Sequence, residues 1–168
     1  MHCKKVVVVV FLFFTFHFSL FTFQCEAALR DRVVAFVDNR AITLSEFEEQ
    51  YKKTKEAVPD VTEEEVANTM INRILLLREA KKYRIEAPTD DGVIKEYIDL
   101  KVRAFITVGE NEIEAFFKQN IHQFAGRDYD QVRGEIEKYL TEKELNERLK
   151  SMLKELRINA YIKIQLKP

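Results

Sequence analysis

The chain is predicted to be mostly α-helical, closed by a small β-sheet that an amino-terminal hairpin and a carboxy-terminal strand form together. Three observations carry that expectation. A β-branched run near residue 33 is followed by a short turn, five stretches keep apolar residues at helical spacing, and the last segment alternates apolar with polar residues.

The elements follow in order. Arg32 to Val37 (Arg-Val-Val-Ala-Phe-Val) is rich in strand-forming side chains. Asp38-Asn39-Arg40 makes a tight turn, with Asn39 as the residue that tolerates a left-handed backbone, and Ala41-Ile42 returns as a second strand. Thr43-Leu44-Ser45-Glu46 is a capping box that opens the first helix, which runs to about Ala57 with Leu44, Phe47 and Tyr51 on one stripe. Pro59 ends it.

Thr62-Glu63-Glu64-Glu65 is a second capping box, and its acids suit the positive end of the helix dipole. Val66, Met70, Ile71, Ile74, Leu75, Leu76 and Leu77 make the second helix apolar nearly all round, so it is expected to be the most buried element. It closes near Tyr83. A third helix spans about Gly92 to Phe105, with Ile94, Tyr97, Ile98, Val102 and Phe105 on one side. A fourth covers about Glu110 to Asn120 and presents Ile113, Phe116 and Phe117. After the loop His122 to Asp128, a long helix runs from about Tyr129 to Ile158. Val132, Ile136, Tyr139, Leu140, Leu149, Met152, Leu153 and Leu156 keep its rhythm. Ala160 to Leu166 alternates with a period of two and reads as a half-buried strand. An isolated hairpin is only marginally stable in water, so the first strand is expected to pair with the last.

Residues 1–27 form a separate region. Lys4 and Lys5 precede an apolar run from Val6 to Phe23 that holds seven of the thirteen phenylalanines, and Cys25-Glu26-Ala27 offers small residues for cleavage after Ala27. That is the pattern of a secretory signal peptide. The run of 18 residues would span about 27 Å as a helix, so an uncleaved inner-membrane anchor is the alternative. A lipoprotein signal is disfavoured, because Thr22, Phe23 and Gln24 stand before Cys25. Each reading sends residues 28–168 out of the cytoplasm as a single domain.

Cleavage would remove both cysteines (Cys3, Cys25) and two of three histidines, leaving His122. Without the leader, 25 basic and 27 acidic residues remain, a balance that argues against nucleic-acid binding. Stability must come from burial, since no disulfide is available after cleavage. His122 lacks a Cys or second His nearby and reads as a solvated or capping residue rather than a metal ligand. Ser45 and Ser151 lie outside any nucleophile-elbow setting. Glu63 to Glu65 point in different directions around their helix and do not form a catalytic pair. Glu144 with Arg148 supports a solvated face. No phosphate-cradling loop is present, so neither a nucleotide nor any other cofactor is expected.

Arg32 through Phe47 (Arg-Val-Val-Ala-Phe-Val-Asp-Asn-Arg-Ala-Ile-Thr-Leu-Ser-Glu-Phe) resembles the opening of the SurA-type periplasmic chaperones. Asn72 to Ala80 looks like their core helix. Ile106 to Ile113, with Phe116 to Asn120 and Phe124, is similar to the segment that precedes the isomerase domain in relatives. Tyr129 to Ile164 looks like the closing helix and strand. The resemblance spans nearly all of residues 30 to 166. Two departures stand out. Only Ala125 to Gln131 separates Phe124 from Val132, far too few residues for a parvulin-type prolyl isomerase domain, and the region Ala87 through Phe105 is short for the usual helical hairpin.

The resemblance therefore implies a periplasmic, ATP-independent chaperone or holdase-like module, without isomerase activity, that binds unfolded or partly folded exported proteins. Membrane association is expected only if the leader is retained. Its client contacts would be Phe47, Tyr51, Phe105, Phe117 and Phe124. Phe116 and Phe117 are adjacent, about 100° apart on a helix. Both read as core, and client binding is the alternative. The rival class is a non-catalytic docking or dimerisation module of the cell envelope, with a homodimer formed by strand or helix exchange.

Overall fold

The computed structural model describes residues 31–166. The expected leader, its cleavage site and both cysteines lie outside the described residues. Strands β1 (Val33–Val37) and β2 (Arg40–Thr43) precede helices α1 (Leu44–Ala57), α2 (Glu63–Lys82), α3 (Asp90–Lys101) and α4 (Glu110–Gln119). The long helix α5 (Tyr129–Ile158) and strand β3 (Ile162–Ile164) complete the order. Short 3-10 turns follow α3 at Arg103–Phe105 and α4 at Ile121–Phe124. Among the described residues, no helix is long and apolar enough to cross a membrane.

The sheet has the order β2-β1-β3 and is antiparallel throughout, so the two ends of the described chain meet in it. Ala35 faces Ile42 on one side and Ile164 on the other. The register slips between Val33 and Ala35, a bulge that leaves both Val34 and Ala35 buried. The Gln165 N–H extends the β3 pairing by donating to the Val34 carbonyl at 2.7 Å. At the β1–β2 turn the left-handed residue is Asp38 (φ 53°), not Asn39. Its backbone N–H donates to the Tyr161 carbonyl, and its carboxylate accepts from the Tyr161 N–H, both at 2.8 Å. A carboxylate that also closes the turn onto β3 offsets the strain of a positive φ.

Both capping boxes form as the sequence expects. The Thr43 and Thr62 hydroxyls accept from the Glu46 and Glu65 N–H groups, and each glutamate reaches back to its threonine's N–H. Helix α3 departs from expectation at both ends. It starts at Asp90, because the Thr89 hydroxyl caps it by accepting from the Gly92 N–H at 3.1 Å. It stops at Lys101, where Val102 leaves helical geometry (φ −122°, ψ −60°), and the chain tightens into the Arg103–Phe105 turn. Phe105 consequently leaves the α3 stripe.

Three apolar clusters form the core. In the first, Val34, Val37 and Ile42 of the sheet pack on Phe47 of α1 and on Val66, Ile71 and Leu75 of α2. In the second, Leu76, Leu77 and Ala80 of α2 meet Val93 and Tyr97 of α3, with Leu149, Met152 and Leu153 of α5 against them. In the third, Ile113 of α4 and Phe124 pack on Val132 and Ile136 of α5. Leu156 touches the first two clusters. Helix α5 thus passes from the third cluster to the others, and its buried face rotates on the way. Tyr139, expected on the stripe, lies exposed, while Leu145, one turn before Leu149, is buried. Ile162 of β3, and Leu166 just beyond it, pack on the first cluster while Ile164 stays more open.

Between α4 and α5 the connection is tight. Ala125 (φ 51°) and Gly126 (φ 78°) both take left-handed geometry, and Asp128 with Gln131 forms the capping box that starts α5. That turn occupies the place where the resemblance puts an isomerase domain in relatives.

Candidate functional site

The polar chemistry of the described residues is mostly devoted to fastening helices. Arg133 of α5 donates to both oxygens of Glu110 at the start of α4, while the Tyr129 hydroxyl donates to the same carboxylate. Arg133 and Tyr129 together hold the Glu110 carboxyl below its ordinary range, and the hydrogen bond to Glu110 pushes Tyr129 up to about 12. Arg103 bridges Asp99 of α3 (3.0 Å) and Glu142 of α5 (2.6 Å). Lys95 and Arg103 draw the Asp99 carboxyl below its usual value, and Arg103 does the same to Glu142. Among the described residues no group of three or more His, Cys, Asp or Glu could hold a metal ion. His122, Ser45 and Ser151 are exposed. The expected Glu144–Arg148 pair forms at 2.7 Å, and Arg148 also donates to the Phe105 carbonyl at 3.1 Å.

The five aromatic residues singled out in the sequence do not share one surface. Phe47 is 3% exposed and belongs to the first core cluster, where Tyr51 stacks on it with centroids 6.0 Å apart. Phe124 is 8% exposed in the third cluster, and Phe117 packs between Phe124 and Tyr129 at 5.4 and 5.5 Å. Only Phe105 is open, at 66%. A client-binding role for Phe47 and Phe124 is therefore corrected: their apolar area is already taken by the fold, because each faces the element it packs on. Tyr51 and Phe117 are half-buried and continue those clusters.

The exposed apolar side chains lie elsewhere. Tyr83 and Leu100 flank the α2–α3 end, Ile121 and Tyr139 the α4–α5 end, and Ile158, Tyr161 and Ile164 the junction of α5 with β3. Two clefts accompany them. One, of about 340 Å³, lies between α4 and α5, where Phe116 and Tyr139 meet the amides of Asn120 and Gln123.

The larger cleft, about 590 Å³, is an open groove between α2 and the end of α5, lined by Asn68, Asn72, Lys150, Leu153, Lys154, Arg157 and Ile158. Leu153 and Ile158 provide its apolar surface, and the methylene stems of the lysines extend it. Arg157 is held across the groove by neutral partners, donating to Asn72 Oδ1 at 2.6 Å and to Asn68 Oδ1 at 2.7 Å. Reading the sequence missed this groove. A signal was available in α5, where Lys150, Lys154 and Arg157 recur at i, i+4 and i+7 beside Leu153 and Ile158. Nothing local, however, indicated that Asn68 and Asn72 lie opposite. No family model matches the chain, and no curated protein matches it.

Proposed function

We propose that this chain is an ATP-independent, chaperone-like module of the periplasm that binds unfolded exported proteins by passive shelter. The observation that carries the reading is the open groove between α2 and α5. Its apolar Leu153 and Ile158 are ringed by donors and remain accessible beside a packed core. The strand-helix-strand order, with both ends of the described chain in one sheet, agrees with the resemblance to SurA-type chaperones. Beyond Ile158 the chain continues through exposed Tyr161 and Ile164, which add apolar surface outside the groove. The test is suppression of aggregation of an unfolded outer-membrane protein by the purified chain at stoichiometric ratio without ATP. An aggregation time course unchanged by the protein removes the proposal.

A second reading, a docking or dimerisation module, is favoured by a different observation. Strand β3 is an edge of the sheet, and its Ile164 and the preceding Tyr161 are exposed. Light scattering coupled to size exclusion separates the two, because a tight dimer indifferent to unfolded clients supports docking. Both readings are non-enzymatic, and turnover in a prolyl-peptide assay would overturn that view.

A further inference from the structure

The geometry points to a specific ligand for the α2–α5 groove: an amphipathic protein segment whose apolar face is flanked by aspartate or glutamate side chains. This inference rests on the chaperone-like reading and adds to it a preference set by charge.

Among the described residues, seven line the groove, three of them cations and none an acid. Lys150 reaches only Glu147, at 3.6 Å and with both side chains well exposed. Among the described residues, no carboxylate lies within ion-pair distance of Lys154 or Arg157, and Arg157 is fixed instead by the two amides. Arg32 and Arg84 likewise stand in no ion pair among the described residues, but the other seven described arginines do. Arg40, Arg73, Arg78, Arg103, Arg127, Arg133 and Arg148 each stand against a carboxylate.

A guanidinium oriented by neutral acceptors keeps its full positive charge, and the amides fix its plane before any ligand arrives. Lys150 and Lys154 add two mobile ammonium groups along the same α5 face. The apolar contribution comes from Leu153, at the edge of the second core cluster, and from Ile158, which is 73% exposed. A segment that buries an apolar side chain on Ile158 brings its own flanking carboxylates over these cations. A lysine-flanked segment of equal hydrophobicity meets like charge instead.

The experiment uses the full chain and two fluorescein-labelled amphipathic peptides that share one apolar face and differ only in flanking glutamates or lysines. Fluorescence anisotropy at low salt is expected to show the glutamate peptide binding about three- to thirtyfold more tightly, the range of two or three exposed ion pairs. Molar salt should close the gap. The double variant Lys150→Glu/Lys154→Glu should reverse the preference, while Ile158→Ser should weaken both peptides alike, with circular dichroism confirming an unchanged fold for each variant.

Equal affinities overturn the assignment, as does a preference that survives charge reversal. Two other results overturn it: a salt-sensitive dimer abolished by the reversal, which would make a second copy the occupant, and charge-dependent binding of phosphatidylglycerol vesicles without peptide binding. If the double variant still suppresses aggregation while neither peptide binds, the groove assignment fails and the chaperone-like reading stands.

Discussion

The Asp38 carboxylate and the Arg78 guanidinium form an ion pair that ties the tip of the β1–β2 turn to α2. The same carboxylate accepts from the Tyr161 N–H, so one side chain joins the hairpin, the second helix and the approach to β3. Arg78 Nη1 makes that ion pair, while its Nε is buried without a hydrogen-bond partner among the described residues.

Removing the carboxylate leaves Nη1 of this half-buried guanidinium unpaired as well and opens the closure of the sheet. Asp38→Ala is expected to cost about 1–2 kcal/mol, less than a fully buried pair because both side chains are about a third exposed. Asp38→Asn retains an acceptor for Tyr161 and tolerates the positive φ, so it should cost less. Urea denaturation of the two variants checks the order; equal losses would remove the proposed clasp.

Leu75 is fully buried between α2 and the sheet. Leu75→Ala should destabilise by roughly 2–5 kcal/mol through lost burial and the cavity left behind. Phe105→Ala, at an open position, should change stability by less than about 0.5 kcal/mol. Thermal melts of the pair measure the contrast. An unchanged melting temperature for Leu75→Ala would mean that the core is misplaced.

Two glycines should respond in opposite directions. Gly126 holds φ 78° with nothing within 4 Å of an added Cβ, so Gly126→Ala meets only backbone strain and should destabilise by about 1 kcal/mol. Gly134 lies inside α5 with equally open space, so Gly134→Ala should stabilise by up to about 1 kcal/mol through helix propensity. Chemical denaturation of both variants tests the opposite signs.

The Tyr129–Glu110–Arg133 cluster predicts a pH signature at each end of the scale. Arg133 and Tyr129 hold the Glu110 carboxyl below its ordinary 4.5 in the folded state. Its contribution is therefore present above that value and lost as the pH falls through the lower folded one. Tyr129 behaves in the reverse sense: raised from 10.0 to about 12 by donating to Glu110, it stabilises fully below pH 10 and loses its contribution as the pH rises through about 12. Alkaline difference absorbance should show a late-titrating tyrosine that Tyr129→Phe lacks. Glu110→Gln should return that step toward pH 10, and no change would remove the assigned hydrogen bond.

Much of the architecture is legible in the sequence, because its determinants are local. Thr43 with Glu46 and Thr62 with Glu65 mark helix starts within four residues, and the Tyr129–Ile158 helix shows its own period. The pairing of β1 with β3 followed from the instability of a lone hairpin. The misses are local as well. Thr89 is a cap without a glutamate three residues on, and the end of α3 at Val102 has no proline or glycine to announce it.

By itself, the amino-acid sequence determined the element order, the capping boxes at Thr43 and Thr62 and the mostly helical class, since periodicity and capping act within a few residues. Only the tertiary structure decided which aromatics are covered, placing Phe47 and Phe124 inside and Phe105 outside. It alone set Arg157 against Asn72 and Asn68, 85 and 89 residues away in the chain. Such juxtapositions depend on how α2 and α5 pack, and no local window of side chains carries that information.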